Sequence, residues 1–154
     1  MRIRLAQDKD YAAIAHLHRA TIRHINSKDY PEDIISVWSG RTKANRFRNS
    51  ESKVKRWVAV EDEKITGFCD HEKTECEIGG LYVHKDYQSK GIGKKLLEKA
   101  ESSLKKMGCK KIKIMSTISA KNFYQRNGYK IIKKGLHMVE NKKLKIFILS
   151  KTIK

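Results

Sequence analysis

A single proline, Pro31, in 154 residues leaves the chain without the repeated φ restriction and missing N–H donors of proline-rich linkers. Cysteine is nearly as scarce. Cys69, Cys76 and Cys109 are odd in number and widely spaced, with neither a Cys-x-x-Cys metal pair nor a secretory pattern, so a reducing cytoplasm is the expected setting. Six histidines are scattered without a His-x-x-x-His pair, and no metal is expected. No apolar run reaches the ~20 residues of a membrane helix. Met1-Arg2-Ile3-Arg4-Leu5 alternates like a strand and lacks the apolar core of a signal peptide, so no membrane partner is expected. Acidic residues are few: 17 stand against 35 Lys and Arg, a formal charge of +18.

That excess attracts anions in general, nucleic acid, acidic proteins and lipid headgroups among them. Only nine of the 35 cations are arginine. Arginines interleave with an aromatic only in Arg41-Thr42-Lys43-Ala44-Asn45-Arg46-Phe47-Arg48, which reads as a solvated helical face. Nucleic acid is therefore not favoured as a partner. With 39% apolar residues, residues 1–154 suffice for one domain with its own core and no staples.

The order of elements implies an α/β (α+β) sheet domain. Strand Arg2–Leu5 leads into a helix from about Lys9 to His24, with Tyr11, Ile14, Leu17 and Thr21 on one face. Pro31 suits the first turn of a second helix, Glu32 and Asp33 complement its N-terminal dipole, and Gly40 is its expected stop. A short helix covers Thr42–Arg48. Strands Lys55–Glu61 and Ile65–His71 form a hairpin around Asp62-Glu63-Lys64, and Glu77–Val83 continues the meander. A helix from Gly91 to Met107 turns Ile92, Leu96, Leu97, Ala100 and Leu104 inward and ends at Gly108. Strand Lys111–Met115, a short helix Ser119–Asn127 capped by Ser119, and strands Tyr129–Lys133 and Leu144–Leu149 complete the chain.

Between the third strand and the long helix lies Gln88-Ser89-Lys90-Gly91-Ile92-Gly93. Two glycines at this spacing expose successive backbone N–H groups, and the helix adds the positive end of its dipole, so the turn is suited to a diphosphate. It is not a Rossmann fingerprint, because Leu96 stands where the third glycine belongs, and the Gly-Lys-Ser/Thr of a Walker loop is absent. The turn resembles the Arg/Gln-x-x-Gly-x-Gly/Ala pyrophosphate loop of the GNAT superfamily of acetyl-CoA-dependent N-acetyltransferases. Downstream, Ala120-Lys121-Asn122-Phe123-Tyr124-Gln125-Arg126-Asn127-Gly128-Tyr129 is similar to that superfamily's Ala-x-x-Phe-Tyr-x-x-x-Gly-Phe segment.

The resemblance implies the GNAT fold: a mixed, mostly antiparallel twisted sheet of six to seven strands flanked by about four to five helices. It implies acetyl-CoA or coenzyme A as cosubstrate, with Leu81, Tyr82 and Val83 offering backbone groups to pantetheine. Gln88, Ser89, Lys90, Gly91, Ile92, Gly93 and Lys94 would hold the diphosphate, with Lys95 adding charge nearby, and Asn122 and Tyr124 would contact the cofactor. Thr117 stands where many members carry an asparagine. Tyr124 is the expected acid for the departing thiolate. Glu77, eleven positions before Gln88, matches the glutamate of histone-acetylating members and is the expected base, directly or through water; His84 and His24 are weaker alternatives. Tyr30 and Trp38 are candidates for an aromatic wall, though core packing explains Trp38 as well. The implied function is acetyl transfer to a primary amine of a small molecule or a protein, the acceptor open; a homodimer is compatible with it. The competing class is a basic nucleic-acid-binding or regulatory module with the same fold and no turnover.

Overall fold

The computed structural model describes residues 1–154. One seven-stranded sheet runs in the order β1-β2-β3-β4-β5-β7-β6. Its strands are β1 (Arg2–Leu5), β2 (Val54–Glu61), β3 (Lys64–Glu72), β4 (Glu77–Val83), β5 (Lys111–Ser116), β6 (Lys130–Val139) and β7 (Lys142–Thr152). The helices are α1 (Tyr11–His24), α2 (Glu32–Gly40), α3 (Ala44–Asn49), α4 (Ile92–Lys106) and α5 (Lys121–Arg126). Every neighbouring pair is antiparallel except β4 with β5. This is the expected α+β arrangement, at the upper end of the expected strand and helix counts.

Alternation along the central strands sorts residues to two faces. Ala59, Cys69 and Ile78 join Ile92, Leu96, Leu97, Ala100 and Leu104 of α4 in one core. Val58, Val60 and Phe68 join Tyr11, Ile14 and Leu17 of α1 in the other. All five inward residues of α4 are buried; each large aliphatic among them contributes roughly 1.5–3 kcal/mol of burial. A third cluster seats α2 on the β6–β7 hairpin through Ile35, Trp38, Val139, Leu144 and Ile146. Tyr30 belongs to it: its hydroxyl donates to the Lys145 carbonyl at 2.5 Å and accepts from the Ile118 N–H at 3.1 Å. That places Tyr30 in a structural bridge to the residues just after β5.

Two local expectations are corrected. Ser119 does not cap α5, whose N-cap is Ala120; the Ser119 hydroxyl instead accepts from Asn26 Nδ2 at 3.2 Å. Cys76 and Cys109 form a disulfide, and Cys69 alone is free. The sequence offered no spacing by which to pair them, since the partners meet only because β4 and β5 run side by side. A structural disulfide removes the free-thiol argument for a reducing compartment from that pair. No helix is long and apolar enough to cross a membrane.

Candidate active site

The sheet opens at its centre. β4 and β5 pair only at Glu77 with Lys113 and Ile78 with Ile114, after which the two parallel strands part. From Gly79 to Val83 the β5-facing edge of β4 therefore carries backbone groups with no strand partner. β4 also bulges, because Asp70 pairs with Gly80 and His71 with Ile78, leaving Gly79 as the extra residue. A bulge re-aims the strand, and Gly79 and Gly80 both line one cavity on the α1 side.

On the other side of the gap a cleft of about 320 Å³ runs between the β4–α4 turn and α5. Leu81, Tyr82 and Val83 form one wall, and Gln88, Ser89 and the residues from Gly91 to Lys94 form its end. The backbone N–H groups of Ser89, Lys90, Gly91, Ile92, Gly93 and Lys94 donate to no backbone carbonyl. Ser89 and Gly91 have φ of 61° and 83°, turns that point consecutive N–H groups into one concavity. A Cβ on Gly91 would meet nothing within 4 Å, whereas one on Gly93 would stand 3.3 Å from the Phe123 ring. The concavity is thus open at Gly91 and packed behind at Gly93. Its unpaired donors, together with the N-terminus of a four-turn helix, fit a diphosphate.

Gln88 is turned to a different task. Its Nε2 donates to the Val83 carbonyl at 3.1 Å, fastening the loop to the end of β4. Lys94 lines the cleft and lies 4.0 Å from Glu98, whereas Lys90 lies over the Tyr87 ring.

Tyr124 lines the cleft. It is 3% exposed and its ring packs edge-on against Phe123 and Tyr129, yet its hydroxyl has no hydrogen-bond partner in the protein. Burial pushes its acidity far down, with the buried Cys69 and Tyr82 adding to the effect; the phenol remains protonated through the neutral range. Asn26 faces the same cleft with a buried Oδ1 that accepts from nothing. Asn122 is exposed on α5 and does not line the cleft; Phe123 and Arg126 do. Thr117 and Tyr82 line both this cleft and the cavity beyond the gap.

That second cavity, about 680 Å³, lies among α1, α2, α3 and the β4 bulge. Asp70 is its one lining carboxylate, and Arg56 occupies both of its oxygens, Nε at 2.6 Å and Nη2 at 2.8 Å. Burial raises the Asp70 pKa, opposed by the Arg56 charge. Glu77, half-buried, pairs with Lys113 Nζ at 3.6 Å and lines neither cavity. His84 accepts from the Asp86 N–H and His24 is exposed; neither reaches the gap. The Arg41–Arg48 segment is not simply a solvated face, because Arg41, Arg46 and Phe47 line the second cavity. Asn26, Asp70, Arg56 and His18 carry no motif, and Arg126 stands at an unspecified position of one; they become visible only once the strands part and the helices close over them. No group of three or more His, Cys, Asp and Glu side chains is placed to hold a metal.

A family model for the acetyltransferase (GNAT) domain matches residues 26–142. The protein YxbD of Bacillus subtilis (strain 168) is 35% identical over 85 residues, a match spanning 52% of this chain and 52% of that one. Thus the chain spans about half the length of the curated relative it matches. A GCN5-related N-acetyltransferase structure from Rhodopseudomonas palustris superposes with a TM-score of 0.92 at 21% identity, covering 99% of this chain and 95% of that one. The PaiA N-acetyltransferase of Thermoplasma acidophilum, solved in complex with coenzyme A, gives 0.81 at 23% identity over 99% and 100% of the two chains. YncA of Salmonella typhimurium, solved with its cofactor acetyl-CoA, gives 0.75 at 18% identity over 99% and 94%. At such identities the likeness speaks for the fold.

Proposed function

Because the chain belongs to the GNAT family of acetyltransferases, we propose that it transfers the acetyl group of acetyl-CoA to a primary amine by direct attack. The observation that carries this is the gap between β4 and β5, where a cleft ending in unpaired N–H groups meets a second cavity beside an unpartnered phenol. The turn from Ser89 to Lys94 holds the diphosphate, the free edge of β4 pairs with the pantetheine amides as an added strand would, and the second cavity admits the amine.

Acetyl-CoA supplies an activated thioester: a C–N bond forms, the C–S bond breaks, and one proton passes from nitrogen to the sulfur side. Unpaired N–H groups of β4 near Val83 stabilise charge that develops on the thioester oxygen. Tyr124 donates its hydroxyl proton to the departing sulfur and recovers one from solvent. The amine proton leaves through water toward Glu77, since that carboxylate lines neither cavity. Cysteine chemistry is poorly served: Cys76 and Cys109 are bonded to each other, and burial holds the Cys69 thiol protonated, so no acyl-enzyme is invoked.

Calorimetric titration with acetyl-CoA at two salt concentrations tests the reading. Micromolar binding at both is expected. Absence of binding at either, alongside salt-sensitive binding to nucleic acid, would replace it with a basic binding module. For the base, Glu77→Gln moves the rising limb of the kcat/KM profile to more alkaline pH; an unchanged profile assigns the proton to bulk water.

A further inference from the structure

The second cavity is lined by Arg41, Arg46, Lys53 and Arg56 against the single carboxylate of Asp70, which Arg56 already satisfies through both oxygens. Neither Arg41 nor Arg46 takes part in any ion pair of the protein, and their guanidinium groups donate to no protein acceptor. They are nonetheless close enough to act on each other and on the same neighbours. Arg41 is pulled down by burial and then by the Arg46 charge, with exposed Glu140 opposing. His137, which also lines the cavity, is pulled down by burial and then by both arginines. Two neighbouring guanidinium groups repel, and no carboxylate of the cavity is free to offset them.

His18 adds an independent sign. It is 9% exposed, lines the cavity, and neither ring nitrogen has a partner. Phe47, Phe68, Trp38 and Tyr82 surround it edge-on. Burial, then the charges of Arg46, Arg41 and Arg56, pulls its pKa to about 3, so it is a neutral imidazole with one donor and one acceptor unused. Buried polar groups are normally partnered; His18 keeps both ring nitrogens unpartnered in the lining of this cavity.

Resting on the acetyltransferase reading, we propose that the acceptor is a small primary amine that also carries a carboxylate or phosphate, its anionic group held by Arg41 and Arg46 while its nitrogen reaches the gap at Tyr82 and Thr117. Guanidinium groups match both anions in the same forked geometry. The cavity volume suits a small molecule, and its charge excludes polyamines and other polycations, which would enter against four positive side chains with no free carboxylate to meet them.

The test has a binding arm and a turnover arm. Trp38 lines the cavity, so its fluorescence reports entry when glutarate or inorganic phosphate is titrated. Initial rates are compared for an α-amino acid panel, O-phosphoethanolamine, ethanolamine and spermidine. Arg46→Gln, at an exposed position, and Arg41→Gln should each raise KM for anionic amines and Kd for the free anions by roughly ten- to a hundredfold, the loss of one charge-assisted contact. Acetyl-CoA affinity should not move. A preference for amino acids over O-phosphoethanolamine, or the reverse, names the anion. Preferred turnover of ethanolamine or spermidine, or anion binding equal in wild type and both variants, overturns the proposal while leaving the acetyltransferase reading intact. Anion binding through Arg41 and Arg46 without acetyl-CoA binding would sink the acetyltransferase reading and the acceptor role with it, leaving an anion site only.

Discussion

Tyr124→Phe should bind acetyl-CoA with nearly wild-type affinity and turn over roughly ten- to a thousandfold more slowly, overlapping the range of general acid catalysis. The two effects separate because the hydroxyl makes no bond inside the protein. Removing it leaves no stranded partner, and the phenylalanine ring keeps the edge-on contacts with Phe123 and Tyr129. The loss therefore falls on the step in which sulfur departs, about 1.4 to 4 kcal/mol of barrier. The sign of the pH dependence follows from burial. A phenol whose ionisation is suppressed donates throughout the neutral and mildly alkaline range, so deprotonation of Tyr124 should cause no fall in wild-type kcat up to about pH 10, the ordinary tyrosine range. Weakened acetyl-CoA binding with kcat preserved would remove Tyr124 from the chemistry and make it a packing residue; a wild-type alkaline limb near neutrality that the phenylalanine variant lacks would keep it in the chemistry and overturn the suppressed ionisation.

Gly91→Trp should abolish acetyl-CoA binding in calorimetry, a loss of at least about a hundredfold or 2.7 kcal/mol. The space a Cβ would enter at Gly91 is empty within 4 Å, and an indole there fills the concavity toward which the unpaired N–H groups are turned. Backbone strain has to be separated from obstruction, because φ of 83° disfavours any side chain by about 1 kcal/mol or more. Gly91→Ala provides the separation: it bears the same strain with a methyl in open space, so it should lower the melting temperature by a few degrees and keep most of the affinity. If tryptophan binds acetyl-CoA as well as glycine does, the turn is not the diphosphate site. If alanine and tryptophan lose binding equally, the loop's conformation matters and its open volume does not.

Much of the architecture was legible in the chain. The alternation in β2 and β3 and the spacing of Ile92, Leu96, Leu97, Ala100 and Leu104 on α4 predicted their elements to within one or two residues, because periodic burial on one face is a local pattern with a physical period. Strands β6 and β7 extend well past their expected ends. Lysine-rich strand ends such as Lys142-Lys143 carry little apolar alternation, and only pairing between the two strands holds them extended. The glycine turn was readable for the same local reason as the helix: six residues contain the whole device.

The candidate acid Tyr124 was named from resemblance and the candidate diphosphate turn from its own glycines, and the cleft brings Tyr124 together with Leu81, Tyr82, Val83 and the turn, while Asn122 and Glu77 fall outside it. Arg41 and Arg46 show why the proposed acceptor side could not be read. By composition they belong to a charged helical segment facing water, and that reading is sound for a helix alone. Here α3 and the end of α2 lean over the β4 bulge, so the same side chains line a cavity.

By itself the sequence determined where strands and helices begin, which face of each is apolar, and that one turn exposes its N–H groups; these depend on neighbours in the chain and on the hydrogen bonds that nearby residues can make. Only the tertiary structure decided where β4 parts from β5, that Cys76 meets Cys109, and that Arg41, Arg46, Arg56 and His18 converge from two helices, a strand and the turn after α2. Those placements follow from packing between segments far apart in sequence, and no local pattern records a distance that exists only after the core has closed.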